Sequence, residues 1–166
     1  MDYEALYEDL VKVLEDLMEK NRDAPILVEG ERDVRALRSL GFHGDVRALN
    51  RGGTIFGLCE ALARERRGAI ILTDWDAKGG RLARQLREAL AANAVRYDDE
   101  LRGRLAVLCR KDIKDVESLG AFVGRIEEIL ETRNRSKPSK RWYPNRRSSW
   151  RRYRGPSLEE THRSQD

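Results

Sequence analysis

The sequence is poor in the residues that build zinc sites and disulfide frameworks. Among its 166 residues it has two cysteines, Cys59 and Cys109, and two histidines, His43 and His162, with no Cys-x-x-Cys pair. This inventory argues against a zinc site and excludes a disulfide-stabilised scaffold. We therefore expect a protein of a reducing cytoplasm.

Long apolar segments are also missing. The longest clean apolar run extends only from Ala69 to Leu72, whereas a membrane-spanning helix needs about 20 consecutive apolar residues. The first residues are acidic from Asp2 onward, which is unlike the basic start of a secretory signal. No Gly-Lys-Ser/Thr occurs, so a P-loop is excluded as well. We expect no membrane association.

Charge, by contrast, is abundant and unevenly distributed. Charged residues make up 37% of the chain, above the roughly 25% of typical soluble domains. Residues 132–166 carry 11 Lys and Arg against 3 Asp and Glu, a local charge of +8, whereas residues 1–131 carry 22 against 26, a charge of −4. A basic segment of this kind is typical of proteins that bind nucleic acid or another anionic surface.

The hydrophobic pattern alternates between strand-like and helix-like segments. Apolar residues recur every three or four positions over residues 2–20, which predicts an amphipathic helix. Strands are predicted at 26–28, 46–49, 69–73 and 105–108, and helices over 31–40, 55–66, 78–92 and 115–131. This order predicts an α/β fold, with a four-stranded parallel sheet covered by helices on both faces.

Three regions follow from this pattern. Residues 1–23 contain the N-terminal helix, and residues 24–131 contain the α/β domain. Residues 132–166 form a basic tail with almost no aliphatic side chains. We expect this tail to be disordered when free, because it cannot bury enough apolar surface to offset its ordering entropy.

Acidic side chains follow two of the predicted strands. Glu29 comes directly after the first strand, and Asp74 and Asp76 follow the third. Ligands of open parallel sheets bind beyond the carboxyl ends of the strands. If these two strands are neighbours, the three carboxylates share a small volume, and Mg²⁺ would relieve their repulsion because it prefers oxygen ligands. An Asp-x-Asp pair alone is often a plain helix cap, so the joint occurrence is what indicates a metal site.

These residues carry a resemblance to a known family. Ile26-Leu27-Val28-Glu29-Gly30-x-x-Asp33, followed by Asp74-x-Asp76-x-x-Gly79, resembles the Toprim domain of topoisomerases, bacterial primases, recombination-repair proteins and the ribonuclease that matures small ribosomal RNA precursors. The resemblance covers about residues 24–131 and is strongest to small stand-alone Toprim proteins. It implies a Rossmann-like sheet in which the first and third strands are central and adjacent. It also implies that Glu29 is a general acid or base, and that Asp74 and Asp76 hold magnesium.

The chain departs from several members of that family. It lacks a following active-site tyrosine and is too short for strand-passage domains, so DNA relaxation is not expected. Zinc-binding and helicase-interacting modules do not accompany the domain in this sequence, so a complete primase is not expected. A haloacid-dehalogenase-like reading of the Asp pair fails too, because Lys78 stands where Thr or Val is required.

Two further acids accompany the strand-end carboxylates. Asp33 matches the acidic position after the family's Glu-Gly, and Asp115 lies beyond the fourth predicted strand. We expect both to support the metal site or to join it as ligands, and Glu29 is a further candidate ligand. Asp115 has an alternative interpretation as the N-cap of the last helix.

Candidate phosphate-binding residues lie in two turns. The turn between the second strand and the next helix contains Arg51, Gly52 and Gly53. Glycines let the backbone approach an anion closely, and the helix N-terminus favours phosphate. Lys78 and Arg81 follow the Asp pair, and either could neutralise a phosphate. The Lys78 ammonium would do so as a point charge, and the Arg81 guanidinium through its planar fork of N–H donors. The alternatives are a plain turn and solvated cations.

The basic tail interleaves arginines with aromatic residues. Cations attract phosphates in a salt-dependent manner, and exposed aromatics stack on unpaired bases. The alternative is a tail that only confers solubility. The candidate nucleic-acid-binding residues of the tail are Arg141, Trp142, Tyr143, Arg146, Arg147, Trp150, Arg151, Arg152 and Tyr153.

Together these features predict a magnesium-dependent phosphoryl-transfer protein that acts on nucleic acid. We favour an endonuclease for structured RNA, with RNA preferred over DNA. One alternative is a non-catalytic nucleic-acid or ribonucleoprotein adaptor. Another is a nucleotidyl-transfer accessory of a primase or repair complex.

Overall fold

A computed structural model describes residues 1–135 of the chain. In this range four short strands form one parallel sheet of order β2-β1-β3-β4. The strands are β1 (Ile26–Val28), β2 (Val46–Ala48), β3 (Ala69–Ile71) and β4 (Tyr97–Asp98). The helices are α1 (Tyr3–Lys20), α2 (Glu31–Ser39), α3 (Ile55–Glu65), α4 (Ala77–Ala92), α5 (Glu100–Cys109) and α6 (Leu119–Arg135). The predicted α/β fold is confirmed. The candidate binding residues of the tail, from Arg141 to Tyr153, lie outside the described range.

The first strand is central and adjacent to the third. Residue Ile26 of β1 pairs with Val46 of β2 on one side and with Ile70 of β3 on the other. All three residues of β1 are buried, because a parallel strand covered on both faces is apolar throughout. The adjacency of β1 and β3 places the carboxyl ends of these two strands side by side.

Helices cover both faces of the sheet. On one face, α1, α2, α5 and α6 pack over strand residues such as Val28 and Ile70. On the other face, α3 and α4 pack over Leu27 and Ile71. Successive residues of a strand point to opposite faces, so each short strand contributes to both cores.

The N-terminal helix matches the predicted span. The Asp2 side chain caps α1 by accepting hydrogen bonds from the backbone N–H groups of Glu4 and Ala5, both over 3.1 Å. Leu10, Leu14 and Leu17 of α1 are fully buried in the core that α5 and α6 also line, and Leu6 is partly buried against it. Within residues 1–135, no helix combines the length and apolar character that crossing a membrane requires.

The predicted strand at 105–108 is wrong. These residues belong to α5, in which Leu101, Leu105 and Cys109 recur every four positions and face the core. A four-residue apolar run does not by itself distinguish a strand from a buried helix. The fourth strand is instead β4, which pairs Tyr97 with Ala69 of β3 and Asp98 with Ile70.

The last helix begins four residues later than predicted. Residues 115–118 form a turn, in which the Asp115 side chain accepts a hydrogen bond from the Ser118 backbone N–H over 2.8 Å. Asp115 is therefore not the N-cap of α6, which starts at Leu119 and continues to Arg135.

Candidate functional site

Glu29 and Asp74 meet at the carboxyl ends of β1 and β3. Glu29 directly follows β1, and the chain leaves β3 through Thr73 into Asp74. The Asp74 backbone N–H donates a hydrogen bond to Glu29 Oε1 over 3.2 Å. The structure therefore brings together the two strand ends on which the predicted acidic site depends.

Asp74 is the most strongly perturbed carboxyl of the site. One of its oxygens, Oδ1, accepts a hydrogen bond from the Val116 backbone N–H over 2.9 Å. The pKa of Asp74 is raised to about 7, mainly by burial, with the nearby negative charges of Asp33, Glu29 and Asp115 acting in the same direction. The hydrogen bond from Val116 opposes the rise. An isolated Asp74 is thus only partly ionised at neutral pH, and a bound cation would favour its charged form.

Glu29 is also held in a partly desolvated position. Burial raises its pKa, with smaller contributions from the charges of Asp76 and Asp33. The Asp74 backbone N–H and the ammonium of Lys78, 3.8 Å from Glu29 Oε2, act in the opposite direction. A carboxyl with a raised pKa is suited to general acid–base chemistry near neutral pH.

Asp76 combines a structural role with a free oxygen. It is the N-cap of α4, because its Oδ1 accepts a hydrogen bond from the Gly79 backbone N–H over 2.6 Å. The helix-cap interpretation is therefore correct for this residue. Within residues 1–135, Oδ2 of Asp76 and Oδ2 of Asp74 accept no hydrogen bond, so one oxygen of each remains available to a ligand.

Gly79 fixes how closely α4 approaches the end of β3. A Cβ atom at Gly79 would lie 1.9 Å from the Asp74 carbonyl oxygen and 2.5 Å from its carbonyl carbon. The Thr73 hydroxyl also donates a hydrogen bond to the Gly79 carbonyl oxygen over 2.7 Å. The glycine of the Asp-x-Asp-x-x-Gly motif thus allows the Asp74 main chain to lie against α4. A Cβ atom at the neighbouring Gly80 would meet no atom within 4 Å.

Asp33 and Asp115 surround the site but bind backbone groups. Asp33 is only 6% exposed, and its Oδ2 accepts a hydrogen bond from the Gly30 backbone N–H over 3.0 Å. Burial raises the pKa of Asp33, as do the charges of Glu117 and Asp115. Both aspartates therefore add negative potential while shaping the segments next to Glu29 and Asp74.

The carboxylate oxygens that remain free in this cluster fit a magnesium site in which water supplies several of the ligands. They do not fit a site in which the protein supplies most of the ligands. Within residues 1–135, no group of three or more His, Cys, Asp or Glu side chains is arranged to hold a metal ion. Mg²⁺, however, is often held by one or two carboxylates while it keeps several waters. Asp74 and Asp76, with one free oxygen each, match that pattern, whereas Glu29 is oriented by its contacts with Asp74 and Lys78.

The candidate phosphate-binding residues lie in two exposed turns. Gly52 and Gly53 have φ values of +87° and +79°, which explains why glycine occupies both positions. Arg51 is exposed and forms an ion pair with Glu31 at the start of α2. An open groove between β2 and α3 includes Arg51 and Gly52 in its lining, but Glu29 and the aspartates do not line it.

The two cations after the Asp pair differ in their surroundings. Lys78 is 70% exposed and close to Glu29, so it reaches the acidic site and solvent together. Arg81 is exposed, and it forms no ion pair with any residue of the 1–135 range. Both are positioned on the first turns of α4, where the helix N-terminus also favours an anion.

Sequence reasoning missed Arg102, which lies on α5. Its Nε and Nη2 atoms donate hydrogen bonds to the carbonyl oxygens of Thr73 and Asp74, over 2.9 and 2.7 Å. No local pattern reveals this contact, because it joins residues 28 and 29 positions apart. It also depends on α5 being a helix where a strand was predicted.

Fold and site together define an α/β protein with a carboxylate cluster at the ends of two adjacent parallel strands. No family model matches the chain. A UPF0292 protein of Methanosarcina barkeri is 36% identical over 125 residues, which covers 75% of this chain and 87% of that protein. A UPF0292 protein of Thermococcus onnurineus is 40% identical over 118 residues, covering 69% and 86%.

The chain therefore belongs to the UPF0292 family. Its archaeal relatives include a protein of Methanocaldococcus jannaschii, 31% identical over 120 residues, which span 72% of this chain and 93% of that protein. A solved structure, described as a putative protein from Aquifex aeolicus, matches with a TM-score of 0.58 and 26% identity. It covers 65% of this chain and 95% of its own.

Proposed function

We propose that this chain is a magnesium-dependent phosphoryl-transfer protein that acts on nucleic acid, with a Toprim-type domain over residues 24–131. An endonuclease for structured RNA is the activity that we favour, with RNA preferred over DNA. The observation that carries the proposal is the contact between Asp74 and Glu29 across the β1–β3 edge, with Asp76 two residues further along.

Each residue of the cluster has a distinct role in this proposal. Asp74 and Asp76 would hold the metal through their free oxygens, directly or through water. A bound Mg²⁺ would supply charge neutralisation and polarisation of the scissile phosphate. Glu29 would accept the proton of the attacking water, a role favoured by the raised pKa of its carboxyl.

Basic residues would align the phosphate backbone around this cluster. Lys78 lies beside Glu29, and Arg51 lies on the turn that follows β2. Both side chains are more than half exposed, so they are accessible to a large substrate. The tail would raise affinity without reading sequence, since phosphate attraction is independent of base identity.

The second candidate is a non-catalytic nucleic-acid or ribonucleoprotein adaptor. It is favoured by the absence, within residues 1–135, of a three-carboxylate group arranged for a metal. In that case the phosphates would be bound by Lys78, Arg51 and the tail. The acidic cluster would only orient these basic side chains. For either function we propose a cytoplasmic location, in keeping with the free, buried thiols of Cys59 and Cys109.

The deciding experiment is cleavage of labelled structured RNAs, with matched duplex and single-stranded DNA, by the full-length protein in magnesium and in chelator. Asp74→Asn and Asp76→Asn are the test variants. Asp16→Asn is the matched control, because the Asp16 carboxylate pairs with Arg104 and not with a residue of the candidate site.

Cleavage that requires magnesium, persists in Asp16→Asn and is lost in both test variants would support the nuclease. Tight RNA binding that survives chelation and Asp74→Asn, without any product, would favour the adaptor. Incorporation of labelled nucleotides would instead identify a nucleotidyl-transfer accessory.

A further inference from the structure

Arg102 contacts the main chain at the point where β3 ends. Its guanidinium donates to the carbonyl oxygen of Thr73 over 2.9 Å and to that of Asp74 over 2.7 Å. The pairing of β3 with β4 stops at Ile70, so β4 offers no partner to either carbonyl. The Arg102 fork supplies these two hydrogen bonds in place of a longer strand.

The Arg102 charge lies close to the acidic cluster without neutralising it directly. Within residues 1–135, the guanidinium forms no ion pair with a carboxylate. Burial and the nearby charge of Arg87 lower the pKa of Arg102, and the charges of Asp99, Asp74 and Glu29 oppose that shift. Its hydrogen bonds go to carbonyl oxygens instead. The carboxylate oxygens of Asp74 and Glu29 therefore remain free of Arg102.

Other contacts hold the Asp74 segment from different sides. The Trp75 backbone N–H donates to the Lys114 carbonyl oxygen over 3.0 Å, and its indole N–H donates to the Ile113 carbonyl oxygen over 2.7 Å. These bonds fasten the residue after Asp74 to the turn before α6. Arg102 alone, among residues 1–135, holds the carbonyl groups of Thr73 and Asp74 through a charged side chain.

We propose that Arg102 is a positioning residue, whose guanidinium fork fixes the Thr73–Asp74 main chain and thereby aims the Asp74 carboxyl into the site. This inference rests on the proposed function for its catalytic meaning. A planar fork with fixed donors is required, because a lysine ammonium is a single point charge on a flexible stem.

The test compares Arg102→Gln and Arg102→Lys with Arg104→Gln in the full-length protein. Arg104 lies on the same helix but donates to Asp16 over 2.9 Å, so its loss costs an ion pair away from the site. Amide hydrogen exchange is measured at Asp74 and Val116, whose N–H groups bind Glu29 and Asp74. Magnesium affinity is measured by titration calorimetry.

Loss of two charge-assisted hydrogen bonds predicts at least about tenfold faster exchange at both amides in Arg102→Gln. We also expect weaker magnesium binding, little rescue by Arg102→Lys, and wild-type values for both readouts in Arg104→Gln. Core amides such as that of Leu14 should exchange at the wild-type rate in every variant that folds. If Arg102→Gln does not fold, Arg102→Lys supplies the same comparison.

Unchanged exchange at Asp74 and Val116 in the Arg102 variants would overturn the inference, as would an equal effect of Arg104→Gln. A wild-type protein that binds no magnesium and cleaves nothing would refute the proposed function instead. The exchange data would still decide whether Arg102 positions Asp74, because they need neither metal nor substrate.

Discussion

Replacing Gly79 with alanine should damage the site far more than the same change at Gly80. Both glycines lie in the first turns of α4, and neither has a positive φ. A Cβ atom at Gly79 would approach the Asp74 carbonyl oxygen to 1.9 Å, whereas a Cβ atom at Gly80 meets nothing within 4 Å. The pair therefore separates close backbone approach from helix propensity.

Gly80→Ala is expected to raise the free energy of unfolding, and Gly79→Ala is expected to lower it. Alanine in place of glycine within a helix stabilises by roughly 0.5–1 kcal/mol, so Gly80→Ala should raise the free energy of unfolding by that amount. Gly79→Ala gains the same propensity but must displace backbone, and overpacking of this kind costs about 1–3 kcal/mol, occasionally more. Because the propensity gain is common to both variants, we expect them to differ by the overpacking cost, about 1–3 kcal/mol.

Urea denaturation of both variants and wild type measures this difference. The midpoints should move in opposite directions while the slopes stay equal, and melting temperatures should differ by about 2–4 °C for each kcal/mol. Gly79→Ala should also bind magnesium more weakly, because the Asp74 main chain must move. Equal stability of Gly79→Ala and Gly80→Ala would refute the close approach and, with it, the reason for glycine in the motif.

Three further predictions address charge. In chelator, the pKa of Asp74 is about 7 in the folded state against 3.8 for a free aspartate, so the free energy of unfolding should fall as pH rises from about 4 to 7. Asp74→Asn should flatten this pH dependence. At high pH the variant should be about 2 kcal/mol more stable than wild type, because partial exposure screens roughly half of the full effect. A steeper slope in the variant by denaturation would contradict this. Lys78→Met should raise the pKa of Glu29 and shift the acidic limb of the cleavage pH profile upward, and a downward shift would exclude Glu29 as the base. Truncation after Arg135 should leave the melting temperature unchanged and reduce the salt dependence of RNA binding, measured by filter binding across salt concentrations; an unchanged slope would remove the tail from the interface.

The strand-end acids were predictable because each follows a fully apolar strand. The triplet before Glu29 has no polar residue, and the run before Asp74 is apolar from Ala69 to Leu72 and ends in Thr73. Such apolar runs are typical of parallel strands buried on both faces. The adjacency of β1 and β3 came from the resemblance, since the pattern of one chain does not determine strand order. The structure confirms that adjacency.

The remaining parts of the site depend on long-range packing. The stretch at 105–108 was misread because its apolar residues are equally compatible with a helix, and the spacing of Leu101, Leu105 and Cys109 decides it only once α1 is in place. The contact of Arg102 with Thr73 follows from that packing. The clash at Gly79 is also invisible in sequence, because it arises between backbone atoms of two elements.

Titration calorimetry of magnesium into the full-length protein at pH of about 8 tests the central claim most directly, because Asp74 is then ionised. The account predicts saturable binding that is lost in Asp74→Asn and in Asp76→Asn and is retained in Asp16→Asn. Absence of binding by the wild-type protein, or equal binding by all four proteins, would contradict it.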